Sequence, residues 1–138
     1  MSEECKTVHY KSGYKYQTQK DYCWKVDIKP PKAIVTDWII LKTDGQITIK
    51  KGYAWDGPSG PAIDTKNFMR GSLTHDALYQ LIRYKHLPAE KRLDADIQLW
   101  KDCLADGMWR IRAWWVYRGV RLGGGPATFK PKKVYVAP

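Results

Sequence analysis

The chain has 138 residues, 43% of them hydrophobic and 28% charged, with a net charge of +10. That length fits one domain with its own core, and the hydrophobic share is that of an ordinary globular protein. No stretch approaches the roughly 18 apolar residues that a membrane span needs, and Met1-Ser2-Glu3-Glu4 has neither the basic start nor the apolar run of a signal peptide.

The charge favours acidic partners, namely nucleic acid, an anionic membrane surface or an acidic protein face. The basic residues are spread along the chain, which reads as general surface character without a specific nucleic-acid site. Three cysteines, Cys5, Cys23 and Cys103, show no CxxC or Cys/His ligand spacing. They argue against a disulfide framework or a structural zinc, and predict reduced thiols in a cytoplasm. Aromatic residues make up 13% of the chain, with 7 Trp and 9 Tyr against 2 Phe. Such amphipathic rings suit half-buried surfaces as well as core.

Residues 5–55 read as strands. Val8, Tyr10, Tyr14 and Tyr16 suggest a first pair, and Tyr22, Trp24, Val26 and Ile28 alternate as a half-buried strand until Pro30-Pro31. Ile34 to Leu41 reads as one apolar, β-branched strand. Asp44-Gly45 then predicts a hairpin turn with positive φ at both positions, leading into the alternation Gln46-Ile47-Thr48-Ile49. Residues 56–66 open as a Gly/Pro loop. Residues 67–123 read as three helices: about 67–84, a second bracketed by Pro88 and Gly107, and a third over about 108–122. A basic tail over 124–138 carries Val134, Tyr135 and Val136 as a candidate edge strand, with a solvated charge run over Lys130 to Lys133. The whole, 1–138, is predicted to be a single α+β domain, with N-terminal antiparallel strands and a three-helix C-terminal half.

On the first helix, spacing places Phe68, His75, Leu78, Tyr79 and Ile82 on one stripe, with Asp76 at its edge. On the second, the stripe reads Leu93, Ile97, Trp100 and Leu104, and Asp96 falls inside it. On the third, Ile111, Trp115 and Leu122 share a face with Arg118, and Arg121 lies beside it. A carboxylate on an apolar face must be paired or protonated, so these polar groups are expected to meet, with Arg118 completing the cluster. An imidazole held by a buried carboxylate is the usual arrangement of a general base. The same cluster could equally be a structural lock on helix register.

Four motifs in order, Trp55-Asp56-Gly57-Pro58-Ser59-Gly60-Pro61, Thr74-His75-Asp76-Ala77-Leu78-Tyr79, Arg92-Leu93-Asp94-Ala95-Asp96 and Tyr117-Arg118-Gly119-Val120-Arg121-Leu122-Gly123, span residues 52–123. Together they resemble the tailed-phage and prophage family known as domain of unknown function 1353. The first motif departs from that family's threonine-aspartate-x-alanine-serine-x-proline at Trp55 and Pro58, while Asp56, Ser59 and Pro61 match. The resemblance implies a phage or prophage origin and no defined activity.

A second likeness is to secreted phospholipases A2, which have a calcium loop, a His-Asp-x-x-Tyr helix and a distant aspartate. It implies His75 as the water-activating base, Asp96 as its orienter, and Tyr79 in support. Asp76 and the loop from Asp56 to Gly60 would hold a divalent cation such as calcium. The loop's prolines and the missing paired cysteines depart from that pattern. Metal-dependent phosphohydrolases with several histidines fit less well, because His9 and His86 lie outside the helices.

Trp109, Trp114 and Trp115 with Arg110, Arg112, Arg118 and Arg121 form an aromatic–basic set. It reads first as a central core helix whose Arg heads emerge at its ends, and second as a surface for phosphates or single strands. Ser59 lacks a nucleophile-elbow context and reads as a turn residue. Two functions therefore stand. One is a phage-encoded hydrolase of ester or phosphodiester bonds, with catalytic His75 and Asp96, metal-binding Asp56 and Asp76, and supporting Ser59, Tyr79, Arg92, Arg118 and Arg121. The other is a non-catalytic virion or tail component, or an inhibitor that binds a host protein. Host cytoplasm or the virion is the expected location.

Overall fold

The computed structural model describes residues 6–11, 16–55 and 66–123. They form two compact units, one of strands up to residue 55 and one of helices from residue 66. Antiparallel strands precede three helices, an α+β arrangement. Cys5, Tyr14, the Asp56–Pro61 motif with Ser59, and the tail with Val134 to Val136 lie outside the described residues.

The strand unit has two antiparallel sheets. The smaller runs β1 (Tyr10–Lys11), β2 (Tyr16–Thr18), β7 (Ala54–Trp55). The larger has the order β3 (Tyr22–Lys25), β6 (Gln46–Ile49), β5 (Ile39–Leu41), β4 (Ile34–Val35). Strand β6 is central: Ile49 lies opposite Tyr22 on one side and Ile39 on the other. The period of 2 sends Tyr22, Ile39, Leu41, Ile47 and Ile49 to one face, where all are buried. Buried Thr18 ties β2 to the segment between β6 and β7. Its backbone N–H and C=O pair with Tyr53 and Gly52 at 2.9 Å, and its hydroxyl donates to the Lys50 carbonyl at 3.0 Å.

Two expectations fail here. The run from Ile34 to Leu41 is a hairpin rather than one strand, because the Thr36 hydroxyl accepts the N–H groups of Trp38 and Ile39 and turns the chain. At Asp44-Gly45 only the glycine has positive φ, at 92°. The Gly45 N–H donates to Lys42 O at 3.0 Å and the Lys42 N–H to Gln46 O at 2.9 Å, a turn followed by a left-handed residue. Asp44 keeps a negative φ, and its carboxylate accepts the Gln46 N–H at 2.9 Å, which also holds its pKa below the usual range.

A third correction concerns the thiols. Cys23 is disulfide-bonded, against the expectation of reduced cysteines throughout, while Cys103 is free and buried.

The helical unit comprises α1 (Lys66–Arg83), α2 (Lys91–Ala105) and α3 (Arg110–Gly123). Helix α2 packs against both of the others. Phe68, Leu99, Cys103, Met108 and Ala113 form a buried apolar cluster, with Trp100, Val116 and Val120 against it. Gly71 sets the closeness of α1 to α2, since a Cβ there would come within 2.8 Å of Leu99 Cδ1. Helix α2 ends on Gly107 (φ 93°) with Gly107 N–H to Leu104 O and Met108 N–H to Cys103 O, a Schellman closure. Helix α1 ends the same way with Lys85 (φ 63°) in the left-handed position. No helix among the described residues is long and apolar enough to cross a membrane.

The predicted faces of α2 and α3 are both displaced. On α2, Leu93 and Leu104 are exposed, and the buried residues are Ala95, Asp96, Gln98, Leu99, Asp102 and Cys103. On α3, Ile111, Trp115, Arg118 and Leu122 face outward, and Ala113 faces in. Helix α3 is therefore one-sided and is not a central core helix.

Two substitutions test the turns. A Cβ on Gly45 would sit 2.3 Å from the Val26 carbonyl oxygen at a positive φ, so Gly45→Ala should lower the stability measured by urea unfolding by about 2–3 kcal/mol. Lys85→Gly relieves a left-handed residue that costs about 1–2 kcal/mol against a glycine entropy cost of about 0.5–1 kcal/mol. Its urea midpoint should rise by the equivalent of about 0.5–1 kcal/mol.

Candidate functional site

Asp96 is the centre of the helical unit's polar chemistry. It has 0% exposure on α2 and accepts from both neighbouring helices. His75 Nε2 lies 2.7 Å from Oδ1, and the Tyr79 hydroxyl donates to the same oxygen at 2.5 Å. Both come from α1, one turn apart, because residues four apart share a helix face. Their rings lie 4.0 Å apart at 42°. From α3, Arg121 Nη1 donates to Oδ2 at 2.9 Å.

One turn before Asp96, Arg92 widens the network. Its Nε donates to the Tyr79 oxygen at 3.3 Å. Its Nη2 donates to the carbonyls of Val120 and Arg121, at 3.1 and 2.7 Å. Those carbonyls belong to the last turn of α3, which lacks partners within the helix. Arg92 therefore caps α3 from another helix and fixes the turn that carries Arg121.

The protonation states follow from the surroundings. Burial pushes the Asp96 carboxyl up, but hydrogen bonds from His75 and Tyr79, the His75 charge and the Arg121 contact outweigh it and hold the pKa below the usual range. Burial and the bond to Asp96 push the Tyr79 phenol up. Asp96 is thus a carboxylate and Tyr79 a neutral donor. Both Oδ1 partners must then donate, so His75 carries a hydrogen on Nε2. Its Nδ1 is the nitrogen left over, and the side chain retains 12% exposure.

The sequence-predicted residues are distributed as follows. His75, Tyr79, Arg92, Asp96 and Arg121 come together. Arg118 does not: it is exposed, with its guanidinium 5.8 Å over the Trp114 ring. Asp76 is half-buried on α1 and is not a partner of Asp96. Asp56 and Ser59 lie outside the described residues. Among the described residues no group of three or more His, Cys, Asp or Glu side chains could hold a metal. Asp56 and the loop expected to share a cation with Asp76 lie outside those residues.

Two features escaped the sequence reading. One is the grip of Arg92 on α3, which no spacing within one helix signals. The other is a second buried carboxylate, Asp102, which accepts from Gln98 Nε2 at 2.8 Å. The i, i+4 spacing of that pair was a visible signal. Burial, with Asp102 and Asp106 nearby, pushes the Cys103 thiol up to about 12, which leaves it a buried apolar group and no nucleophile. No protein family, curated protein or solved structure matches this chain.

Asp96 binds its proton more weakly when folded than when unfolded. Its stabilisation is therefore complete above the unfolded value of about 3.9 and is lost as pH falls through the lower folded value. Urea midpoints of the wild type should drop in acid, and Asp96→Asn should flatten that acid limb. Asp96→Ala, which strands three donors, should cost about 3–5 kcal/mol at neutral pH in the same measurement.

Proposed function

We propose that this chain is a phage- or prophage-encoded hydrolase of ester or phosphodiester bonds, with His75 as general base and Asp96 as the carboxylate that orients it. The observation that carries the reading is the His75–Asp96 pair. Its carboxylate is sealed and ionised, while the imidazole has one nitrogen not used by Asp96 and its side chain is not fully buried. The origin rests on the resemblance to the phage family, and it places the protein in the host cytoplasm or the virion.

In this reading Nδ1 of His75 takes a proton from a water whose oxygen attacks the carbonyl carbon or phosphorus. The imidazolium shares its Nε2 hydrogen with Asp96, which stabilises the new charge without accepting the proton. The proton on Nδ1 then passes to the departing alkoxide oxygen as its bond breaks. Tyr79 and Arg121 fill the remaining acceptor positions of Asp96, so the carboxylate cannot turn away from the ring.

A second reading is favoured by one observation. Every Asp96 contact joins two helices, and Arg92 extends the tie to the end of α3. A non-catalytic virion or tail component, or an inhibitor of a host protein, would need that much and no turnover. The two separate in one assay series. With ester and phosphodiester probes, His75→Asn should fold normally by circular dichroism and lose at least about 100-fold in rate. Equal rates, or no hydrolysis by the wild type, would leave the structural reading.

A further inference from the structure

Helix α3 presents an apolar stripe to solvent that the helical core does not use. Ile111, Trp115 and Leu122 are 73%, 69% and 79% exposed, and Trp109 just before the helix is 84% exposed. At 100° per residue the first three fall within a narrow arc, opposite the buried Ala113. Trp114 and Arg118 stand on the near edge of that arc, stacked on each other. Neither α3 nor the preceding Trp109 contains an acidic residue, whereas the helix carries Arg110, Arg112, Arg118 and Arg121.

Scattered exposed apolar residues are normal, but three large ones along one helix face with a fourth just before it mark a contact surface. We propose that this face of α3 docks on an anionic lipid surface, with Trp109, Ile111, Trp115 and Leu122 entering the headgroup boundary and Arg110, Arg112 and Arg118 meeting lipid phosphates, while Arg121 stays on Asp96. The chemistry of the stripe selects this occupant. Tryptophan with aliphatic neighbours and arginine heads is the composition of helices that lie in a membrane interface. Ile111 and Leu122 have no π-face, so they suit acyl chains better than the bases of a single-stranded nucleic acid. A second copy is disfavoured by charge, because each copy carries +10 and would bring the same arginines face to face. The docking surface does not depend on the hydrolase reading.

The test is co-sedimentation of the full chain with vesicles of equal parts phosphatidylglycerol and phosphatidylcholine, alongside pure phosphatidylcholine vesicles. Tryptophan emission should shift to the blue on binding, and the anionic vesicles should take up at least about tenfold more protein at low salt, with a fall as salt screens the arginines. The double variant Ile111→Ser/Trp115→Ser alters exposed side chains outside the packing, so circular dichroism should be unchanged and partitioning should fall by at least about tenfold. His75→Asn should bind as the wild type does, which separates this test from that of the active site. Failure to bind anionic vesicles, or unchanged binding by the double variant, would overturn the proposal. So would a dimer in light scattering that only the double variant dissolves, or tryptophan quenching by single-stranded DNA without vesicle binding.

Discussion

A carboxylate withdrawn from water must recover its hydrogen bonds from the protein, at a cost of several kcal/mol if it does not. In the helical unit Asp96 imposes that demand, and it can be met in few ways. Two donors lie one turn apart on α1, so a shift of that helix by a single turn would remove both from the same oxygen. The third comes from α3, whose last turn Arg92 holds in place from the helix that carries Asp96. The apolar cluster around Leu99 and Cys103 supplies burial, which has little direction of its own. The polar network supplies the register.

That division explains which parts could be read in advance. Punctuation was plain: the hairpin at Asp44-Gly45, the closure at Gly107 and the order of strands before helices all follow from local backbone chemistry. Helix faces were less plain, because counting large apolar residues assumes that large side chains go inside. Here close approach selects small ones, at Gly71, Ala95 and Ala113, and leaves Leu93, Leu104 and Trp115 outside. The same displaced face on α3 put Arg118 in the place that Arg121 occupies. His75 and Asp96 were legible because a buried carboxylate is chemically conspicuous whatever its exact register. The cross-helix reach of Arg92 was not, since only tertiary structure brings its guanidinium to α3. The disulfide at Cys23 was missed because cysteine spacing alone does not fix which thiols pair.

The network also fixes charge. Asp96 stays ionised and Tyr79 stays protonated, so hydrogen bonds run in one direction, from the rings to the carboxylate. The imidazole is the member with a ring nitrogen left over. A structural lock would use the ring only as a donor, whereas catalysis would use both of its nitrogens. The hydrogen bonds are identical in the two cases, and the difference lies in whether Nδ1 exchanges protons with a substrate.

Helix ends usually fray at almost no cost, because their terminal backbone groups are held only by water. The C-terminal turn of α3 is different: two of its carbonyls are held by Arg92, and its Arg121 side chain is held by Asp96. Unwinding that turn would strip a donor from the buried carboxylate at the same moment. The end of α3 and the polar centre are therefore one cooperative opening unit, and backbone amides near Val120 and Arg121 would exchange with solvent only when the whole cluster comes apart.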